Sequence, residues 1–128
     1  MNNREIIEQW LLKADHDLAT AKLVLLHLPD FFDMIAFHCQ QTVEKYLKAY
    51  LLYLEIDFRP VHDLRYLLNL VITKDETLDF LYLNISQLND YAVKIRYPDQ
   101  TIFLSIAELE EAIQLSQTVK ELVEARLI

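Results

Sequence analysis

The chain has 128 residues, 12 basic against 20 acidic, a formal net charge of −8 and no glycine at all. A chain of this length builds one core, so a single domain over residues 1–128 is expected. The missing glycines exclude the phosphate-cradling loops of P-loop and dinucleotide-binding proteins, and the acidic surplus repels polyanions at long range, which excludes non-specific DNA binding.

A first helix is expected from about Arg4 to Leu28, where Ile7, Trp10, Leu11, Ala14, Leu18, Ala21, Leu25 and Leu28 recur at helical spacing and Pro29-Asp30 ends the pattern. A second follows from about Phe31 to Glu55. Arg59-Pro60 breaks the chain, and a short third helix spans about His62 to Val71. The fourth runs from about Asp75 to Lys94, its leading acidic residues suited to the N-terminal dipole. Tyr97-Pro98-Asp99 is the next break. The last helix starts near Ser105, where Ser105-x-x-Glu108 matches a capping box, and continues through Leu109, Ile113, Val119, Leu122 and Val123. Four long helices plus one short one, briefly connected, predict an all-α, up-and-down antiparallel bundle. With no glycine available as a helix C-cap, the helices must end on other devices. Seven Tyr and six Phe add apolar area that points to a dimer interface.

Cys39 has no second cysteine to pair with, which fits a reducing cytosol, and its place on the apolar side of its helix makes it a buried, inert thiol. Met1 to Glu5 lacks the apolar stretch of a signal peptide, and no apolar run approaches the roughly 20 residues that span a bilayer. A cytoplasmic chain with no membrane contact is expected.

The second helix carries two patterns. Phe32, Ile35, Ala36, Cys39, Val43, Tyr46, Leu47, Tyr50 and Leu54 gather on one side at about 100° per residue, while Gln40, Gln41, Glu44 and Lys48 share a separate arc. Glu44 and Lys48 are spaced i, i+4 with Glu first, and a helix-surface ion pair of about 0.2–0.5 kcal/mol explains them equally well. Amide donors and acceptors beside that pair suit a polar ligand. His62, at the start of the third helix, either bonds its neighbouring turn or faces the same cleft. Arg96 is either a helix-end cation or, with Tyr97 beside it, a bidentate phosphate ligand next to a ring that stacks on a base. The four histidines, His16, His27, His38 and His62, share no metal-ligand spacing, so no metal site is expected.

Trp10, Lys13-Ala14 and Asp17-Leu18-x-x-Ala21 stand on the first helix and Phe37-x-x-Gln40-Gln41-x-x-Glu44-Lys45-x-x-Lys48-Ala49 on the second. His62-x-Leu64-x-x-Leu67-Leu68 follows, then Arg96-Tyr97-Pro98 before the last helix. In this order and spacing, over nearly the whole chain, they resemble the HEPN domain family. The resemblance implies a helical bundle that usually forms a homodimer. Many bacterial members are encoded beside a minimal nucleotidyltransferase in a toxin–antitoxin or similar module. Others are metal-independent ribonucleases with an Arg-x4–6-His motif, whose arginine holds the scissile phosphate while the histidine moves protons. This chain departs there. From Arg96 the spacing reaches Thr101, Ile102 or Phe103, and no histidine follows His62.

The expectation is therefore a non-catalytic HEPN protein, a dimeric partner of a minimal nucleotidyltransferase that binds a nucleotide or RNA phosphate and needs no cofactor. Its site would combine Arg96 for phosphate, Lys48 as second cation, Glu44 to orient it, Gln40 and Gln41, His62 and Tyr97, with Asp17 at the margin. The alternative is a ribonuclease toxin using Arg96 and His62. A third reading makes the Gln40, Gln41 and Glu44 stripe the dimer seam itself.

Overall fold

The computed structural model describes residues 1–99 and 102–127. The order is α1 (Asn3–His27), α2 (Phe32–Tyr53), α3 (Leu64–Ile72), a 3₁₀ segment (Glu76–Leu81), α4 (Tyr82–Lys94) and α5 (Ile106–Arg126). There is no strand among the described residues, and the architecture is the up-and-down bundle that the apolar periodicities predict. No helix is long and apolar enough to cross a membrane.

α2 is the central element. It packs along α1 over most of its length and also touches α3, α4 and α5. Thirteen of its 22 residues are buried, and besides Ile35, Val43, Tyr46, Leu47 and Leu51 these include Gln40, Thr42, Glu44 and Lys48. A helix enclosed on nearly every side must bury part of its polar arc too, and that requirement creates the site. The apolar core joins Ala14 and Ala21 of α1 to Leu64, Leu67 and Leu68 of α3, Ile85 and Leu88 of α4, and Leu109, Val119 and Val123 of α5. Small alanines on α1 let its backbone approach α2 closely.

Two polar ties lock α5 to the rest. Lys120 Nζ donates to Asp15 at 2.7 Å, and Tyr46 OH donates to the same carboxylate. Asp75 accepts from Tyr50 OH at 2.6 Å and from Arg126 Nε at 2.7 Å.

The helix ends are made without glycine. Asn2, Asp63 and Ser105 each accept a backbone N–H at the start of α1, α3 and α5. At Ser105 the capping box is complete, with Glu108 N–H on Ser105 Oγ at 3.2 Å and Ser105 N–H on Glu108 Oε1 at 3.1 Å. α2 closes with Glu55 at φ 59°. Its N–H donates to Leu52 O at 3.1 Å and that of Ile56 to Leu51 O at 3.0 Å, the double closure of a Schellman turn.

Two boundaries differ from the sequence reading. The helix expected over Asp75 to Lys94 is split, its first part being 3₁₀. Asp75 takes the Thr77 N–H at 3.2 Å, tightening the entry, and the three-residue period aligns Leu78 and Leu81, both buried, on one side. α3 begins at Leu64 rather than at His62, because Asp63 accepts the Arg65 N–H at 3.0 Å and so becomes the cap. His62 is left in the connecting segment.

Candidate functional site

The polar arc of α2 lies between α1 and the segment entering α3. Its centre is Glu44, whose side chain is 3 % exposed. One carboxylate oxygen accepts from Lys48 Nζ at 3.2 Å, and the other meets His62 Nδ1 at 2.8 Å. A carboxylate only accepts, so the shared proton belongs to Nδ1. Gln40 Nε2 donates to the carbonyl of His62 at 2.9 Å and lies 3.5 Å from Glu44 Oε1, and Gln41 Nε2 donates to Gln40 Oε1 at 2.7 Å. His62 is thus held at its backbone and at its ring by residues one helical turn apart on α2. Its side chain nevertheless stays 76 % exposed.

Lys48 is covered rather than solvated. Its ammonium lies 5.3 Å from the ring centroid of Trp10 and 6.0 Å from that of Phe58. Of the two readings of this pair, the helix-surface contact does not hold, because both side chains are buried. The i, i+4 spacing is the same in both settings, and the covering rings come from α1 and from the α2–α3 connection.

Asp17 of α1 supplies a second carboxylate, facing the other edge of the arc. It meets His38 Nδ1 at 2.9 Å and accepts from Lys45 Nζ. His38, Gln41, Lys45 and Lys48 follow a three-four-three spacing, so one stripe of α2 serves both carboxylates. Sequence reasoning passed over His38 and Lys45 as ligands of Asp17, although that spacing could have revealed them. Nothing comparable signals Phe58, which reaches the site from a non-helical segment.

Arg96 does not join Lys48 and His62. It is exposed in the turn after α4, and its guanidinium lies 4.9 Å from the ring centroid of Phe37 on α2. Phe37 precedes Gln41 by one turn and Glu44 by two, about 10 Å along the axis. The residues form a strip, with Arg96 at one end, Lys48 at the other and the glutamines between. Tyr97 is 58 % exposed and extends outward from the same turn. Of the positions that the ribonuclease spacing reaches, Phe103 packs edge-on against Phe32 with centroids 5.5 Å apart, Ile102 is half-buried, and Thr101 lies outside the described residues.

Chemically the strip is a local reversal of the chain's charge. Lys45, Lys48 and Arg96, with His38 and His62, stand around two carboxylates, Asp17 and Glu44, in a chain of net charge −8. Among the described residues no three His, Cys, Asp or Glu side chains converge as a metal site. A cleft of about 960 Å³ lies elsewhere, between α4 and α5, and shares no lining residue with the strip.

No curated protein matches the chain. Among solved structures, it is similar to the crystal structure of an archaeal HEPN homologue, with a TM-score of 0.74 and 19 % identity, over 95 % of this chain and 98 % of that one. This likeness concerns the fold. The family model described as "HEPN domain" matches residues 7–126, nearly the whole length. The chain belongs to the HEPN domain family.

Proposed function

We propose that this is a non-catalytic HEPN protein that binds a nucleotide or phosphate along the strip and acts as the dimeric partner of a minimal nucleotidyltransferase in a toxin–antitoxin-like module. The observation that carries the binding reading is the Glu44 hub. A buried carboxylate anchors Lys48 and His62 while leaving the His62 ring open to solvent, beside two amides and two turns of α2 from Phe37, on which Arg96 lies. Lys48 is itself covered by Trp10 and Phe58, so the exposed His62 ring and Arg96 would meet the ligand, and an anchored imidazole loses little side-chain freedom when it does. Arg96, exposed and with its guanidinium 4.9 Å from the Phe37 ring centroid, offers bidentate donors to a phosphate.

The dimer reading is supported by the outer face of α1, where Leu12, Ala19, Leu23 and Leu26 recur at seven, four and three residues. The three leucines are 48 %, 59 % and 74 % exposed. The nucleotidyltransferase reading rests on family membership, and a nucleotidyltransferase signature in the adjacent open reading frame, with co-elution of the two proteins on co-expression, tests it.

Calorimetric titration with ATP, AMP and inorganic phosphate tests the site. Binding of at least one of them, weakened about fivefold or more by Arg96→Ala and by His62→Ala, is expected. Both residues are exposed, so neither variant endangers the fold. Absence of heat with every ligand, or equal binding by the variants, overturns the reading.

One observation favours a second reading, a metal-independent ribonuclease. A histidine whose Nδ1 is fixed by a buried carboxylate is oriented for proton transfer at its other nitrogen. RNA cleavage in EDTA that His62→Ala abolishes would establish it. Unchanged growth on strong expression would count against it.

A further inference from the structure

We infer that the cleft between α4 and α5 is a docking groove for an amphipathic helix of another protein, one with an apolar stripe flanked by Lys or Arg. This inference is independent of the nucleotide reading, because the groove and the strip share no residue.

The groove has the form of a helix seat. On one side Asn84, Gln87, Tyr91 and Lys94 line it, and on the other Glu108, Glu111, Leu115 and Thr118. Both sets recur at three- and four-residue steps, the pattern by which a helix presents one face to a neighbour. Here the two faces look into an open space of about 960 Å³, and α4 and α5 touch each other hardly at all. From Asn84 to Lys94 the seat runs about 15 Å, close to three turns of a partner helix.

Its chemistry selects the occupant. Leu81 and Ala112, both buried, make the floor, Tyr91 and Leu115 form half-buried walls, and Phe80 stands 62 % exposed at one end. The rim carries Asp90, Glu108 and Glu111 against the single Lys94. Asp90 already binds Arg65, and Glu108 caps α5, so Glu111 is the carboxylate left for a partner. Burial raises the Tyr91 phenol, and after Cys39 the rim carboxylates Glu108 and Glu111 add to the rise. An apolar stripe fits the floor and basic flanks fit the rim. A second copy of this chain, itself at −8, meets that rim with the wrong sign.

The test uses the full chain and two capped synthetic helices. Both carry Leu at i, i+3 and i+7, one with Lys on the flanks and one with Glu in the same places. Binding of the Lys helix is expected, with amide shifts confined to residues around 84–94 and 108–118, and about tenfold weaker binding by the exposed-site variant Glu111→Lys. Thr118→Arg, which narrows the seat without touching the acidic rim, should also weaken it. No binding, equal binding of the Lys and Glu helices, or shifts mapping to another face overturns the inference. So does a concentration-dependent footprint on the groove without peptide, which would mark a second copy as its occupant.

Discussion

Glu44 and His62 meet at 2.8 Å across opposite extremes of exposure, the carboxylate being 3 % and the imidazole 76 % accessible. The buried end of this contact is the one that the fold depends on, because Lys48 shares the same carboxylate under Trp10 and Phe58.

Glu44→Gln therefore leaves an ammonium buried without its counter-charge. A loss of about 3 kcal/mol in urea unfolding is expected. Adding Lys48→Met to it should recover most of that loss, since an apolar chain then fills the space between the two rings. His62→Ala removes only the exposed arm and should cost under about 1 kcal/mol. Equal losses for Glu44→Gln and His62→Ala would show that Lys48 does not rely on Glu44.

Asp75 ties the 3₁₀ segment to α2 and α5. Burial alone would raise its carboxyl, but hydrogen bonds from Thr77, Tyr50 and Arg126, with the charge of Arg126, outweigh it and hold the group down to about 2. The same contact, after burial, pushes the Tyr50 phenol up to about 12. A depressed carboxyl stabilises the fold at pH values above its unfolded value near 3.9, and that stability disappears as pH falls toward about 2. The contribution is about 2 kcal/mol. Asp75→Asn should lower the thermal midpoint at pH 7 and flatten its fall between about pH 5 and 2. A variant with the wild-type acid profile would contradict the assignment.

Cys39 is fully buried, and burial pushes its thiol up to about 12, with the Ser116 hydroxyl opposing only in part. At pH 8 its thiolate fraction is then about three orders of magnitude below that of a free cysteine. Labelling by iodoacetamide should be negligible in the native chain and should rise with urea in parallel with the unfolded fraction. Fast labelling without denaturant would place the thiol at the surface.

Much of the fold is legible because α1, α2 and α5 encode their buried faces locally. Ala14, Leu18 and Ala21 mark the face of α1, and the Ser105–Glu108 box marks the start of α5. The 3₁₀ segment is less legible, since Leu78 and Leu81 at three-residue spacing suit either winding and Asp75 decides through contacts with distant Tyr50 and Arg126. Within the site, grouping Gln40, Gln41, Glu44 and Lys48 needs only helical geometry. Their burial does not follow from it, because the cover comes from Trp10 and Phe58. Arg96 lies on Phe37 because the turn after α4 ends there, and no local pattern encodes that meeting.

The clearest local conflict between sequence and backbone is at Glu55. The Schellman closure of α2 needs a left-handed residue, and a glycine-free chain places a glutamate there at φ 59°. A residue with a Cβ costs about 1–2 kcal/mol in that conformation, whereas glycine adopts it freely at the expense of greater unfolded-state entropy. Glu55→Gly should therefore stabilise the protein by up to about 1 kcal/mol, raising the thermal midpoint by roughly 3–5 °C. Glu55→Ala should give no such gain, because it keeps the Cβ, and this contrast separates backbone relief from mere removal of an exposed negative charge. Equal stabilisation by both variants would assign the effect to charge and leave the backbone conformation without an energetic consequence.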